Sequence, residues 1–314
     1  MADERRGEIT KFIEPFRVTP GSKVTLANDF DPGFKAGVEK KDQGVELLRQ
    51  GVELLSEYQA RLAAQDTHGV LVVLQALDAA GKDGTIRHVM SGVNPQGVAV
   101  HSFKVPSAEE LGHDFLWRYQ QRLPGRGEIG IFNRSHYEEV LVVRVHPENL
   151  DRERMPPEAK RKGVWRRRYR EINDWERYLV DNGIRVVKLF LNLSKEEQRI
   201  RLLRRLDLPD HNWKFSISDV QERGYWDDYQ RAFSDMLSYT STRWAPWHVI
   251  PADRKWFARI SVAAVVVDAL MAVDPRFPAV DADARARLAE AKAQLEAQAP
   301  TGQASDPFAD GRQK

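Results

Sequence analysis

Cysteine is absent from the 314 residues. That absence excludes disulfide scaffolds, thiolate zinc sites, iron–sulfur clusters and cysteine nucleophiles together, and it fits a reducing compartment. An excess of charge is also missing. Lys and Arg number 48 and Asp and Glu 46, for a formal net charge of +2. Many nucleic-acid binders are globally basic and this chain is not, so any anion site must come from local clustering. No apolar run approaches the ~20 residues that span a bilayer. The most apolar helical stretch, 261–273, is interrupted by Asp268. The opening residues, Met1 to Arg6, lead into no apolar stretch, so a secretory signal is not expected and the cytoplasm is the expected location. Neither a membrane nor a nucleic acid is an expected partner. Mean hydropathy is −0.54 and 30% of the residues are charged, a soluble composition.

What is present divides into segments. Residues 1–43 mix charge, Gly and Pro without clear period and read as an extended N-terminal arm. From Gly44 to Gln65, Val45, Leu48, Val52, Leu55, Tyr58 and Leu62 follow helical spacing. The string Gly-Val-Glu-Leu-Leu occurs at Gly44 and again at Gly51, one heptad apart, which is too little for a repeat architecture. Continuous apolar runs then begin at Val70, Gly130 and Val186, with shorter ones at Val98 and Trp247. Such runs predict strands buried on both faces. Helical patterns lie between them, over 85–91, 108–122, 159–180, 195–206, 218–239 and 254–273. Strands alternating with helices predict an α/β fold whose mainly parallel central sheet is covered on both faces. We place one domain at 44–278, with a lid over 207–218. A terminal helix over 281–297 and a disordered tail from Pro300 make up 279–314.

The strongest local signal follows the first run. Gln75 to Thr85 leaves the carboxyl end of a strand and enters a helix, where α/β sheets bind anions. Its spacing resembles the P-loop. In such a loop the amides of Ala79, Ala80, Gly81, Asp83, Gly84 and Thr85 are candidates to cradle phosphate. Gly81 allows close backbone approach and Lys82 supplies a full charge. Two positions depart from the pattern. Ala76 replaces the first glycine, although Ala disfavours positive φ, and Asp83 replaces the hydroxyl residue that usually holds Mg²⁺. Asp78 sharpens the reading. A carboxylate inside a phosphate cradle repels its ligand unless a cation lies between them. Asp78 is therefore a candidate Mg²⁺ ligand, with an Asx-type turn as the plainer alternative.

A second candidate is the strand end from Phe132 to Glu139. A polar residue ending an apolar strand is the place where an Asp usually holds Mg²⁺. Here it is Asn133, so Glu138 or Glu139 becomes the candidate for the missing carboxylate. Arg134 leaves the same strand end toward the phosphates. A helix-capping role for Ser135 and Glu138 explains two of these residues, but not Arg134. Asp78 to Gly84 together with Phe132 to Glu139 resembles the polyphosphate kinase type 2 family. Asn94 to Gly97, Ser194 to Gln198, Asn212 to Phe215, Ala245 to Trp247 and Pro251 to Asp253 strengthen the resemblance, which runs from about Lys11 to Pro278. The resemblance implies a P-loop kinase-like three-layer α/β/α sandwich with a helical lid. It implies Mg²⁺-dependent phosphoryl transfer between inorganic polyphosphate and adenine nucleotides, and a homo-oligomer. Asn133 and Asp83 are similar to the subgroup that phosphorylates both AMP and ADP.

Two basic concentrations suit a polyanion. Lys160, Arg161 and Lys162 precede Arg166, Arg167, Arg168 and Arg170 on a helix whose apolar stripe is Trp165, Tyr169, Ile172 and Leu179. Arg201, Arg204 and Arg205 share one face of the helix after Ser194 and are candidate phosphate contacts. Lys214, in the lid, is another, and Trp213 and Phe215 beside it suit either a base clamp or a lid anchor. His101, His113 and His136 show no metal-ligand spacing. Lys82, Asp78 and Arg134 form the expected catalytic set. An ATP-dependent nucleoside monophosphate kinase and a non-catalytic nucleotide- or RNA-binding module are the competing readings.

Overall fold

The computed structural model describes residues 2–212, 216–300 and 306. Two compact units divide the chain, 1–276 and 277–314. In chain order the main helices and strands of the first are α1 (Ala2–Ile13), α2 (Lys41–Gln65), β1 (Gly69–Ala76), α3 (Lys82–Val89), β2 (Val98–Ser102), β3 (Ile129–Asn133), α4 (Val164–Asp181), β4 (Ile184–Asn192), α5 (Lys195–Asp207), α6 (Ile217–Glu222), α7 (Trp226–Thr240), β5 (Trp247–Pro251) and α8 (Lys255–Val273). The second unit holds α9 (Ala282–Glu296), whose first turn is capped by Asp281 Oδ1 accepting from the Ala284 amide at 2.7 Å. Of the tail expected to be disordered, Pro300 to Lys314, all but Pro300 and Asp306 lies outside the described residues.

Among the described residues the pairings between these strands are all parallel, in the order β2-β3-β1-β4-β5, and an isolated antiparallel bridge joins Arg17 to His248 of β5. The five apolar runs become the five strands. Alternation within them feeds two cores. Val70, Val72 and Leu74 of β1 join Val187, Leu189 and Leu191 of β4 on one face. Leu71 and Val73 join Val186 and Phe190 on the other. The first face is covered by α1, α2, α3 and α8. Helix α8 is long and apolar enough to cross a bilayer by composition, yet two thirds of it is buried, the pattern of a core helix. The second face is covered by α4 and α7, which bury Tyr169, Ile172 and Leu179, and Tyr229, Phe233 and Met236. The result is a three-layer α/β/α sandwich.

Two expectations need correction. The first 43 residues are no extended arm. They open with helix α1, and Ile13, Phe16, Val18, Val24 and Leu26 are buried. The segment passes the β5 edge, where the Val18 amide donates to Trp247 O at 2.9 Å. Its apolar residues therefore serve both cores, Ile13 and Phe16 one, Val18 and Leu26 the other. No single period could show that. The helix expected over 108–122 is instead a short 3-10 turn, Glu110–Gly112, and one α turn, Trp117–Gln120. Gly112 interrupts it, and Asp114 Oδ1 accepts from the Leu116 amide at 3.0 Å, an Asx-type turn that competes with helix.

Helices α2 and α8 meet along the doubled glycine motif. A Cβ on Gly44 would lie 2.3 Å from the Trp256 ring, whereas one on Gly51 would lie 3.4 Å from Ala263 Cβ. The two substitutions should therefore differ in sign. Gly44→Ala forces the indole or the helix to move and should destabilise by about 1–3 kcal/mol. Gly51→Ala keeps the gain in helix propensity and should be neutral or stabilising by up to about 1 kcal/mol. Thermal unfolding of both variants checks this. A stable Gly44→Ala protein would mean that α2 and α8 are not packed as described.

Candidate functional site

Strands β1 and β3 are neighbours, with Leu74 opposite Asn133. Their carboxyl ends therefore release two loops side by side. The Arg134 amide still donates to Leu74 O at 3.2 Å, which fixes the second loop against the first strand.

The first loop curls by alternating handedness. Ala79 lies at φ +66° and Gly81 at φ +101°. Such alternation turns successive amides to one concave side. The amides of Gly81, Lys82, Asp83 and Gly84, at the start of α3, have no acceptor among the described residues. They face a cavity of about 970 Å³. Ala76 carries no strain. It is the last residue of β1, and the left-handed positions fall at Ala79 and Gly81.

The side chains around this loop alternate in charge. Lys82 Nζ donates to Ala76 O at 2.8 Å and, more weakly, to Leu77 O. Burial pulls its pKa down, opposed by the nearby Asp78 carboxylate. Arg134, itself left-handed at φ +64°, donates from Nη2 to Asp78 Oδ1 at 2.7 Å. Burial works against the Arg134 charge, but Glu138 and Asp78 together hold its pKa above the ordinary value. Asn133 Nδ2 donates to Asp83 Oδ1 at 2.7 Å and ties β3 to the first turn of α3. Glu138 also faces this group. Burial raises its pKa, while Arg134 and Lys82 act the other way.

Four expected roles change. Glu139 does not reach the loop. Its carboxylate is turned into the second core, accepting from Tyr119 at 3.2 Å and lying 3.4 Å from Arg168. Burial raises its pKa to about 7. Only Glu138 of the two is left as a candidate metal ligand, because the 3-10 turn His136–Val140 sends neighbours in different directions. Ser135 does cap that turn, its Oγ accepting from the Tyr137 amide at 3.2 Å. Arg201 is a scaffold residue rather than a free phosphate contact. Its Nε donates to Glu197, its Nη1 to Ala79 O and Ala80 O, and its Nη2 to Ala252 O and Asp253 O. Those bonds occupy its five donors. Arg168 is equally internal, 1% exposed and bound to Glu139 and Glu153, because it falls on the Trp165–Tyr169–Ile172 stripe. Finally, Arg205 is only partly free, with Nη1 donating to Asp219 at 3.0 Å. Arg204 has no hydrogen-bonded acceptor among the described residues and lines the cavity. Lys214, Trp213 and Phe215 lie outside the described residues.

The cavity wall is one-sided in charge. Its described lining includes nine Lys or Arg residues against two acids, Asp78 and Asp83. Lys104, Arg87, Lys255 and Arg259 belong to it and were not legible in the sequence. They come from the β2 end, from α3 and from the first turns of α8, and no local motif links them. A smaller cavity of about 160 Å³ adjoins, lined by Phe103, Phe115, Tyr119 and His113, with Arg118 and Arg152. Both cavities share Arg134, Phe103, Lys104 and Val105. His113 stacks on Trp117 at 4.1 Å beside it.

Comparison with known proteins gives this arrangement a family. Residues 37–278 match the family model described as polyphosphate kinase 2. An ADP-polyphosphate phosphotransferase of Rhodopseudomonas palustris is 50% identical over 89% of this chain and 97% of its own length. An AMP/ADP-polyphosphate phosphotransferase of Meiothermus ruber is 45% identical over 85% of this chain and 96% of its own. The crystal structure of a polyphosphate kinase 2 from Arthrobacter aurescens superposes with a TM-score of 0.81 at 42% identity, covering 88% of this chain and 95% of that one. With a loop of free amides, a strand-end arginine and a basic cavity set on that shared fold, the chain belongs to the polyphosphate kinase 2 family.

Proposed function

We propose that the protein is a phosphotransferase moving phosphoryl groups between inorganic polyphosphate and AMP or ADP, with Mg²⁺ as its metal. One observation carries the reading. A strongly basic cavity at the phosphate loop and an aromatic-lined cavity meet at one arginine, Arg134. A long polyanion suits the first and a nucleoside the second. The names of the relatives supply the identity of the two substrates.

Phosphoryl transfer needs neutralisation and in-line positioning more than covalent chemistry. The amides of Gly81 to Gly84 cradle phosphate oxygens of one substrate. Lys82 adds a positive charge where charge develops on the transferring group. Arg134 stands between the cavities and orients the acceptor phosphate, moving off Asp78 to do so. No general base is required, because the acceptor is already an anion. Asp78 Oδ2, which has no partner among the described residues, and the Glu138 carboxylate are the groups that would hold Mg²⁺. No cluster of three or more metal-ligating side chains occurs among the described residues. Two carboxylates fit an ion that keeps several waters and takes phosphate oxygens. When bound, it neutralises those oxygens. Arg204 and Arg205 extend the cradle; of the segment 207–218 read as a lid, residues 213–215 lie outside the described residues. A cytoplasmic setting, no nucleic-acid partner and a homo-oligomeric state complete the proposal.

A donor-exchange assay tests the substrate assignment: AMP and ADP are each supplied with polyphosphate or with ATP. Polyphosphate should support formation of ADP and ATP. Transfer to AMP from ATP alone would overturn the assignment. Lys82→Ala should lower kcat by about 100-fold or more, the scale of a lost transition-state donor, in a protein that still unfolds cooperatively. Normal turnover by that variant would remove the loop from the mechanism.

The metal reading gives a second contrast. Asp78→Asn should lose at least about tenfold in rate and need more Mg²⁺, since a carboxylate in the shell is not easily replaced. Asn133→Asp should be milder in rate. It sets a second carboxylate against Asp83, so its thermal midpoint should be lowered and should recover with Mg²⁺. Wild-type Mg²⁺ dependence in Asp78→Asn would leave Asp78 as a turn residue paired with Arg134.

A further inference from the structure

Strand β4 carries a lysine on the face that otherwise holds Val186 and Phe190. Lys188 is fully buried, and so are Glu176 of α4, His136 and Tyr137. The ammonium group donates to Glu176 Oε2 at 2.6 Å, to Tyr137 Oη at 2.9 Å and to Thr240 O at 2.6 Å. Tyr137 Oη donates onward to Glu176 Oε1 at 2.7 Å, and His136 Nε2 lies 3.2 Å from the same oxygen. Lys188 thus uses its three donors. A buried ion pair is weak evidence for stability, because well-packed apolar residues of similar volume are often as good or better. The pair calls for another reason.

Its position supplies one. His136 and Tyr137 follow Arg134 by two and three residues, and Arg134 is a non-glycine residue held at φ +64°. Such a conformation persists only where the surroundings over-determine it. On one side Arg134 is fixed by the sheet, its amide bonded to Leu74 O. On the other side Ser135 Oγ accepts from Gln75 Nε2 at 3.0 Å and from the Tyr137 amide at 3.2 Å. Tyr137 is then pinned by Lys188 and Glu176, and packed edge-on to Trp247 at 4.7 Å. Released from that pin, the turn can relax toward right-handed backbone, which carries the guanidinium away from Asp78.

We infer that the buried Lys188–Glu176 pair is a positioning element for Arg134, acting through Tyr137 and His136. The inference rests on the proposal that Arg134 orients phosphate. Neither Lys188 nor Glu176 lines either cavity, so their effect has to pass through the turn.

A double-mutant cycle tests it. The pair is neutralised without leaving a lone charge, as Lys188→Met/Glu176→Gln, and Tyr137→Phe removes only the linking hydroxyl. Each is measured alone and with Arg134→Ala, with folding followed by thermal unfolding. In the wild-type background the pair variant should lower kcat/KM about tenfold and Tyr137→Phe about threefold. In the Arg134→Ala background both effects should shrink below about twofold, because coupling through one residue vanishes when that residue is removed. Equal losses in both backgrounds, or no loss in the first, overturn the inference. If the pair variant does not fold, Tyr137→Phe decides by the same criterion. Full activity of Arg134→Ala alone would instead refute the role of Arg134, a distinct result.

Discussion

The site hangs on one buried guanidinium. A loop that offers its amides to a ligand must turn its carbonyls the other way, into protein. Buried carbonyls without donors would each cost about 1–3 kcal/mol. Arg201 meets that requirement at Ala79 and Ala80, and the same side chain reaches Ala252 and Asp253 after β5. Glu197, one turn back on α5, balances its charge. The loop after β1, helix α5 and the end of β5 are thereby joined at a single group. Gln198 adds a second tie, donating to Asp78 O at 3.0 Å and accepting from Arg223 at 2.7 Å. The curl of the loop after β1 is thus set by the helix on its far side as much as by its own glycine.

That scaffold concentrates cations at a cost. Burial lowers the pKa of Lys255, and Arg201 and Arg204 push in the same direction. Cations close together in a partly dry cleft repel one another. A bound polyanion relieves that repulsion at many points at once, whereas a single phosphate relieves little of it. The Asp78–Arg134 pair is the local exception, a carboxylate and a guanidinium each holding the other until a ligand competes. Half-exposed as it is, that pair contributes little stability. Its value is in keeping Arg134 aimed at the loop.

Much of this was legible in the chain. The strands were visible because a parallel sheet covered on both faces demands unbroken apolar runs, and the loop between β1 and α3 because Gly81 and Lys82 follow one of them. Periodicity shows which face of a helix a residue occupies, but not how deep that face lies. Arg201 and Arg204 therefore looked alike, although one is buried with its five donors taken and the other has no hydrogen-bonded acceptor among the described residues. Arg168 looked like part of a solvated basic run because its neighbours are. Glu138 and Glu139 could not be separated, since a 3-10 turn gives adjacent residues different environments that no spacing rule assigns. The N-terminal segment hid its burial by dividing its apolar residues between two cores. Lys188 stood in plain view inside an apolar run. A charge in the middle of a strand buried on both faces was the one signal that pointed to a polar core.

The two faces of the sheet do different work for that reason. The first is packed almost wholly by apolar side chains of α2 and α8, whose contacts are strong but carry little direction. The second contains Lys188, Glu176, His136 and Tyr137, and beside them Arg168 with Glu139 and Glu153. Hydrogen bonds are directional, and in a low-dielectric interior a satisfied network holds its members in one arrangement. This polar layer includes the turn that follows β3, and two of its members, Glu139 and Glu153, also line the aromatic-lined cavity. Apolar packing thus supplies stability behind the loop that follows β1. The polar layer supplies angular precision behind Arg134, the one arginine among the described residues that both cavities share.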